Sequence, residues 1–525
     1  MQALSLNAAR LIQDLSVTAK QEVADEPMFS VSKTVSAAAV IYEAARNAVE
    51  FRADHLIRRA AIERILKRRL VITPTGEKIS ESLIRELLWA RYLENNRVPL
   101  RKVLEVQKII DKYVLLKEAV LKLEGIKEKG LISSWILNIE SCEIEECLKP
   151  SPQREALNSF VYRILREKIV MPDKVDRKTL DIQIYLATQR SFASSDEAIL
   201  RFRLFISFLP EWLNSSSTQV AKFALKFKQV YEEIEYQLQH PLGSRLSRFV
   251  AKEVAPFNVI RDLVNGYPEE VAKILADPDL LEAKCRLVLK QKYQETASRL
   301  HRAAIRSIIY IFLTKMVLAF LLELPYDYLI KKTNYFALII NTLFPPALMF
   351  VVTSAIHIPG EDNTLKILST IKEYLYEENI NKVIVDIKTP PNRPLLNMIF
   401  TFIYLLTYLL IFGGIIYFLR QLHFSIVSQG IFLFFLSIVS FFGYRVRLLT
   451  KDYEYTEKEG ALAPIAYFLF LPILRVGQWL SKELSQINLL IFVFDFIIEA
   501  PFKAFFYVIE EWVNFIKIKR EEIAS

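Results

Sequence analysis

The chain has 525 residues and a formal net charge of +9, and its charged residues are unevenly distributed. Residues 1–303 hold 48 basic and 40 acidic side chains, whereas the remaining 222 residues hold only 20 and 19. The first part therefore has the charge density of a soluble domain and the second that of a lipid-embedded one. Only 12 glycines occur, and no GxGxxG, GxxxxGKS/T or GxSxG motif is found, which argues against the common phosphate-binding loops and nucleophile elbows.

Residues 1–303 predict a soluble, all-α domain. Prolines and a glycine separate a series of amphipathic helices, and no segment shows a convincing strand alternation. Ser194 stands three residues before Glu197 and an apolar run, which is the pattern of a capping box at a helix start. Ser151 followed by Pro152 predicts a second helix start. Because the N-terminus lacks an uninterrupted apolar stretch, we expect no cleavable secretory signal.

The strongest basic run lies between residues 52 and 69. Only Asp54 and Glu63 oppose it, and Phe51 is the one aromatic residue beside it, so a nucleic-acid-binding module is not indicated. A domain tethered at a cytoplasmic leaflet meets anionic lipid, which attracts lysine and arginine. We therefore consider an anionic-lipid headgroup patch or, as the alternative, a solvated helix face with i, i+4 pairs. The patch would consist of Arg58, Arg59, Arg64, Lys67, Arg68 and Arg69.

The cysteine and histidine patterns indicate no catalytic, cofactor or metal site. Cys142 and Cys147 flank three glutamates, but no second pair of ligands stands at a zinc-site spacing, so we expect an acidic solvated loop. Cys285 falls on an apolar helical stripe and is interpreted as a small core residue. Three cysteines are too few for a disulfide framework, which favours a reducing compartment. The five histidines are scattered along the chain.

The segment from Asp279 to Leu324 contains no glycine or proline. Apolar and small side chains recur along it every three or four residues, which predicts one continuous helical stripe. A single helix of this length would measure roughly 70 Å. We therefore expect a rigid stalk that joins the soluble domain to the bilayer, with no bend or loop near Arg299.

The membrane domain is predicted at residues 304–459, because four apolar stretches there are long enough to cross a bilayer, which takes about 20 helical residues. Fourteen basic residues flank these stretches on the side of the N-terminal domain, against three on the other side. This bias predicts that both termini are cytoplasmic. The spans are 305–324, 335–358, 395–419 and 421–444, and the insertion 359–394 would be cytoplasmic.

Two further segments are predicted outside the spans. In the insertion, Leu365–Leu375 favours a short amphipathic helix and Val383–Val385 a short extended piece, and the insertion could dock on the N-terminal domain. Residues 460–525 favour re-entrant or interfacial segments, followed beyond Pro501 by an amphipathic helix with phenylalanine and tryptophan on one face. That helix would lie in the headgroup plane or pack against the protein's own helices.

Lys315 lies near the middle of the first predicted span, where a charged side chain costs about 2.5 to 3.5 kcal/mol to insert. We consider it a counter-charge for Asp495 or Glu499, a point on a substrate path, or a lysine at a polar seam between helices. Glu323 lies close to a membrane boundary and is expected to be solvated. Asp495 belongs to an apolar run too short to span, so we expect it at the interface.

These features favour a polytopic, all-α membrane protein of a bacterial cytoplasmic membrane, with a large N-terminal soluble domain. The first functional hypothesis is a membrane-anchored scaffold whose partners are lipid headgroups and other proteins, with no nucleic acid. The alternative is a transporter or channel component with a midplane site near Lys315 and a helix break at Pro345 and Pro346, because broken helices hold the sites of transporters. An enzyme is the least favoured class, since no catalytic motif is found. The pattern leaves the oligomeric state open.

Overall fold

The computed structural model describes residues 3–18, 26–31, 53–123, 128–171, 176–330, 335–385, 394–455, 463–486 and residue 512. Helix makes up 82% of the structure, which confirms the all-α prediction. The chain divides into two compact units, here called the N-terminal and the C-terminal unit. The N-terminal unit comprises Leu6–Ala251 with Asn381–Ile384, and the C-terminal unit comprises Lys252–Ile380 and Val385–Asn488, with Met1–Ser5.

Two clusters of buried apolar side chains lie among the described helices of the N-terminal unit. Ile62 and Leu83 lie in the first cluster. The second is rich in aromatic rings, and in it Trp135 and Trp212 each contact Phe205 edge to face. The helices are α1 (Leu6–Thr18), α2 (Asp54–Ile72), α3 (Ile79–Trp89), α4 (Arg101–Leu121), α5 (Lys129–Leu148), α6 (Pro152–Lys168), α7 (Arg177–Ser191), α8 (Glu197–Phe208) and α9 (Ser217–Gln239).

Two of these helices begin where the sequence predicts a start. α6 begins at Pro152. α8 begins at Glu197, but its N-cap is Asp196, whose carboxylate accepts a hydrogen bond from the Ile199 N–H at 3.0 Å. The predicted cap, Ser194, instead lies in the preceding turn with a φ of 54°. The aspartate caps the helix because its side chain is the one placed next to the free N–H groups of the first turn.

Four strands of two residues each belong to the described part of the N-terminal unit. β1 (Met28–Phe29) pairs antiparallel with β2 (Val98–Pro99). β3 (Ile169–Val170) pairs in parallel with β4 (Val383–Ile384). The extended piece predicted in the insertion is therefore present. It belongs to the N-terminal unit, whereas the helices before and after it in the chain belong to the C-terminal unit.

The C-terminal unit begins within α10 (Pro241–Gly266) and continues through α11 (Val271–Ala276) into α12 (Pro278–Leu318). α12 has 41 residues, about 60 Å of helix, and no break near Arg299. Leu281 and Cys285 are buried on its predicted apolar stripe. Because α12 is continuous and packs on α11, the unit boundary lies before the predicted domain boundary at residue 303.

Among the described residues, four helices are long and apolar enough to span a membrane. The first is α12, which passes through a π-helical turn at Ala319–Glu323 into α13 (Leu324–Ile330). The other three are α14 (Tyr335–Ser354), α16 (Pro394–Gln421) and α17 (Ile426–Arg447), and α15 (Glu361–Tyr376) lies between α14 and α16 in the chain. α14 packs against both α12 and α17.

α14 continues through Pro345 and Pro346, so the predicted break in this helix is wrong. A proline inside a helix removes an N–H donor and crowds the carbonyl of the preceding turn. Helices in apolar surroundings tolerate this when neighbouring groups satisfy the released carbonyls. Pro345 consequently has no N–H to donate to the carbonyl of Asn341, four residues earlier in α14.

The fifth long helix of the C-terminal unit, α18 (Ala463–Gln486), has 24 residues and includes most of the short segment predicted at 460–474. It packs along α17. Gly477 permits this close approach, because a Cβ added there would overlap the backbone carbonyl of Ser437. The apolar pattern underestimates the length of the helix because Arg475 interrupts it halfway.

Candidate buried ion-pair site

Lys315 and Glu323 form an ion pair inside the C-terminal unit, and both side chains are fully buried. Positions eight apart in a regular α-helix are rotated by about 80° around the helix axis. The wider π-helical turn at Ala319–Glu323 rotates less per residue, so it returns Glu323 to the face of the helix that carries Lys315. The backbone thus creates a pair that regular helical spacing does not predict.

Asn341 of α14 joins this pair and is fully buried. Its Nδ2 donates to Glu323 Oε1 at 2.7 Å and to the Ser428 carbonyl of α17 at 3.3 Å. One side-chain amide therefore links α14 to the π-helical turn and to α17. The Oδ1 atom of Asn341 is buried and makes no hydrogen bond in the described part of the structure.

The side chains next to the pair are apolar. Ile311, Met349 and Phe435 belong to one buried hydrophobic cluster. Lys315 Nζ lies 5.4 Å from the centre of the Phe435 ring, within the range of a cation–π contact. Two opposite charges attract each other strongly in such surroundings, but either charge alone is costly to bury. Lys315 and Glu323 therefore depend on each other.

The structure changes two expectations about the charges of the first span. Glu323 is buried, so the prediction that it is solvated at a membrane boundary is wrong. Lys315 has Glu323 as its partner, whereas the partners considered from the sequence, Asp495 and Glu499, lie outside the described residues. No regular pattern could have revealed the pair, because its geometry depends on the π-helical turn.

The predicted headgroup patch on α2 begins with two buried arginines. Arg58 contacts Glu145 at 2.5 Å, and both residues are buried. Arg59 is also buried and contacts Asp196 at 2.8 Å. Burial keeps these two guanidinium groups away from lipid headgroups, so the predicted patch does not include them.

The remaining members of the patch lie in the second half of α2. Arg68 and Arg69 both contact the buried carboxylate of Glu86, at 2.5 Å and 2.6 Å. Lys67 is exposed and Arg64 is partly buried. Headgroup docking by these four residues stays a prediction.

The segment Glu140–Cys147 is part of α5 and is largely buried, so the predicted acidic solvated loop is wrong. Glu143 accepts hydrogen bonds from Lys112 Nζ at 2.6 Å, from the Tyr113 hydroxyl at 2.8 Å and from Trp212 Nε1 at 3.0 Å. Acidic residues of this kind look solvated in the sequence, because the groups that satisfy them come from distant parts of the chain.

Burial shifts the titration of several groups on α5. It raises the pKa of Glu140 to about 8, an effect that Lys117 opposes and Glu143 increases. Burial also raises the pKa of the Cys142 thiol well above its usual value and that of Cys147 to about 11. Both thiols therefore stay protonated near neutral pH, which makes them poor nucleophiles and poor metal ligands.

A second polar cluster, which we call the Asn363 latch, holds the chain that follows α17. A 3-10 turn, Leu448–Tyr453, comes directly after that helix. Asn363 of α15 donates from Nδ2 to the Tyr453 carbonyl and accepts at Oδ1 from the Tyr455 N–H, both at 2.7 Å. The same Nδ2 lies 2.9 Å from the hydroxyl of Tyr293 on α12.

Helix α10 completes the Asn363 latch through two carboxylates. The hydroxyl of Tyr453 donates to Asp262 at 2.5 Å, and the hydroxyl of Tyr455 donates to Glu253 at 2.8 Å. Burial and the nearby Glu253 charge raise the pKa of Tyr455, so its hydroxyl remains a donor. Residues 453–455 are therefore fixed to α10, α12 and α15.

Three polar clusters thus stand out in the described part of the chain: the Lys315–Glu323 pair, the Asn363 latch and the network around α5. Comparison of the chain with protein-family models, curated proteins and solved structures gives no significant match. A functional conclusion therefore depends on the chemistry of these clusters.

Proposed function

We propose that this protein is a multi-pass membrane scaffold that anchors cytoplasmic helices to a closed transmembrane bundle. The observation that supports the proposal most is the complete burial of Lys315, Glu323 and Asn341. Charged residues that line a substrate path face a bundle interior or cavity that water can enter. Lys315 and Asn341 instead both bind Glu323 between packed helices, which favours a role in holding α12, α14 and α17 together.

The anchoring part of the proposal is supported by α12 and the Asn363 latch. α12 is one helix that packs against α11 and α15 and carries buried residues in both halves. Leu281 is buried near its start, and Ile311 is buried in the cluster of Met349 and Phe435. The latch binds the end of α17 to α10, α12 and α15. The proposed spans α12 and α17 would therefore both be attached to α10 and α15, which restricts their movement relative to these two helices.

The proposed location is the cytoplasmic membrane of a bacterium, with both termini in the cytoplasm. The four long apolar helices and the excess of basic residues on the side of the N-terminal domain support it. Anionic lipid headgroups and proteins bound by the N-terminal unit would be the partners. The predicted amphipathic helix beyond Pro501 would add an interfacial anchor, and apart from Trp512 it lies outside the described residues.

A transporter or channel component is the second candidate. Three features favour it: the unpartnered Oδ1 of Asn341, the π-helical turn that ends at Glu323 and the two prolines inside α14. Irregular helices of this kind form substrate and ion sites in transporters. In such a mechanism, Lys315 and Glu323 would separate when a substrate or a proton binds.

Reconstitution distinguishes the two candidates. The full-length protein is placed in liposomes, and proton and potassium fluxes are measured under an imposed membrane potential. If the protein is a scaffold, the flux equals that of liposomes without protein, both for the natural sequence and for Lys315→Leu/Glu323→Leu. A transporter of these cations gives a flux above that background, and the double substitution abolishes it without unfolding the protein.

Leu313→Ala is the matched control for this experiment, because Leu313 lies on the same helix and is 58% exposed. The substitution leaves the Lys315–Glu323 pair intact. A flux that survives in Leu313→Ala but disappears in the double variant would contradict the scaffold proposal and support the second candidate.

A further inference from the structure

Exposed basic side chains precede the exposed apolar part of α12. Arg302 and Arg306 are exposed. One helical turn later, Ile309 and Tyr310 are 53% and 67% exposed, although both have large apolar surfaces. A helix that passes from water into lipid shows this order, with arginine at the headgroups and tyrosine at the boundary of the hydrocarbon.

The same arrangement occurs in reverse at the end of α17. Tyr444 and Leu448 are exposed apolar residues, and they flank the exposed Arg445. Lys451 in the following 3-10 turn is exposed as well. Basic and apolar exposed groups therefore meet at this end of both helices.

The elements that carry these two basic ends pack against each other. α12 packs against the 3-10 turn Leu448–Tyr453 and against α17. In the described part of the chain, none of the four basic residues Arg302, Arg306, Arg445 and Lys451 makes an ion pair within 4.0 Å. Their charges are therefore available to an anion from outside the chain.

We propose that these residues form a binding site for the phosphate group of an anionic phospholipid, which we call the juxtamembrane basic site. A guanidinium group offers paired N–H donors that match phosphate oxygens. The exposed apolar side chains beside the arginines supply a surface for the acyl chains. This inference rests on the proposed membrane location, and it assigns lipid selectivity to α12 and α17 rather than to the partly buried arginines of α2.

Titration of the full-length protein in detergent micelles tests the proposal. The melting temperature is measured as phosphatidylglycerol or phosphatidylcholine with the same acyl chains is added. Phosphatidylglycerol is expected to raise it and phosphatidylcholine to have little effect. Arg302→Gln/Arg306→Gln/Arg445→Gln should weaken the apparent affinity for phosphatidylglycerol by about fivefold for each arginine removed.

Two variants control for folding and for total charge. Arg302→Lys/Arg306→Lys/Arg445→Lys keeps the positive charges and should retain most of the preference for phosphatidylglycerol. Lys222→Gln/Lys226→Gln/Lys228→Gln removes three exposed charges from α9 and should bind like the natural protein. Binding that is unchanged in the arginine-to-glutamine variant would overturn the proposal.

The outcomes also separate this inference from the proposed function. Equal effects of the two lipids on a protein that is integrated into membranes would overturn the basic site alone. A shift of equal size with inorganic phosphate would assign the site to a soluble anion and overturn its assignment to lipid. Failure of the chain to enter membranes would overturn both the inference and the proposed location.

Discussion

Removal of Lys315 alone is expected to destabilise the protein, because Glu323 would remain as a buried charge without its counter-ion. Breaking a buried ion pair from one side costs about 3–5 kcal/mol, whereas replacing both charges with apolar groups is often neutral. Lys315→Leu should therefore lower the unfolding midpoint in detergent micelles, and Lys315→Leu/Glu323→Leu should restore most of it. A double variant whose loss equals the sum of the two single losses would show that the residues are not coupled.

Glu140 is expected to make the stability of the N-terminal unit depend on pH. Its folded pKa of about 8 lies above the ordinary value of 4.5, so folding favours the protonated carboxyl. The resulting stabilisation is complete below the ordinary value and is lost as the pH rises through the folded one. Glu140→Gln is neutral at every pH, and it should therefore raise the melting temperature more near pH 8 than near pH 5.

Glu197→Gln is the control for this measurement, because Glu197 is exposed at the start of α8. It should change the melting temperature little at either pH. An effect of Glu140→Gln that is the same at both pH values would mean that Glu140 is ionised in the folded protein.

At the scale of helices, α17 and α18 can approach each other closely only because residue 477 is glycine. A Cβ at that position would overlap the Ser437 carbonyl and the side chain of Phe441. Gly477→Leu should therefore separate the helices and destabilise the protein by at least the 1–3 kcal/mol that is typical of overpacking. Thermal unfolding in micelles measures the effect.

Gly414 on α16 provides the matched glycine, because a Cβ added there meets nothing within 4 Å. Gly414→Leu should leave the melting temperature close to that of the natural protein. Similar losses for Gly414→Leu and Gly477→Leu would indicate that leucine itself, rather than the contact between α17 and α18, causes the destabilisation.

Whether an element can be predicted depends on where its determinants lie. The four long apolar helices can be read from the sequence, because their own residues supply the length and the hydropathy that identify them. The burial of the acidic segment of α5 cannot, since Glu143 is satisfied by Lys112 and Trp212 from distant parts of the chain. The pairing of Lys315 with Glu323 cannot be predicted from the sequence either, because it requires a π-helical turn that the apolar periodicity does not reveal.

At the scale of the whole molecule, the proposed function requires membrane integration with the N-terminal unit inside the cell. The full-length chain should remain in the membrane pellet after carbonate washing. A cysteine introduced by Lys222→Cys, at an exposed position of α9, should react with an impermeant maleimide only after the membrane is permeabilised. Arg420→Cys, between the third and fourth proposed spans, should react in intact cells.

Reaction of Lys222→Cys in intact cells would reverse the proposed orientation, and release of the chain by carbonate would remove the basis for a membrane scaffold. The natural cysteines interfere little with this labelling, since Cys142 and Cys285 are buried and Cys147 is only partly accessible.

The π-helical turn in the first span also has an evolutionary consequence. It accommodates one residue more than a regular α-helix needs, and the surplus residue decides which side chain faces Lys315. A deletion of one residue within Ala319–Leu322 would restore regular geometry and place the glutamate seven positions after the lysine, a spacing that keeps both charges on one face of an α-helix. Related chains that keep both charges should therefore space the lysine and the glutamate either eight residues apart with a π-helical turn or seven residues apart without one.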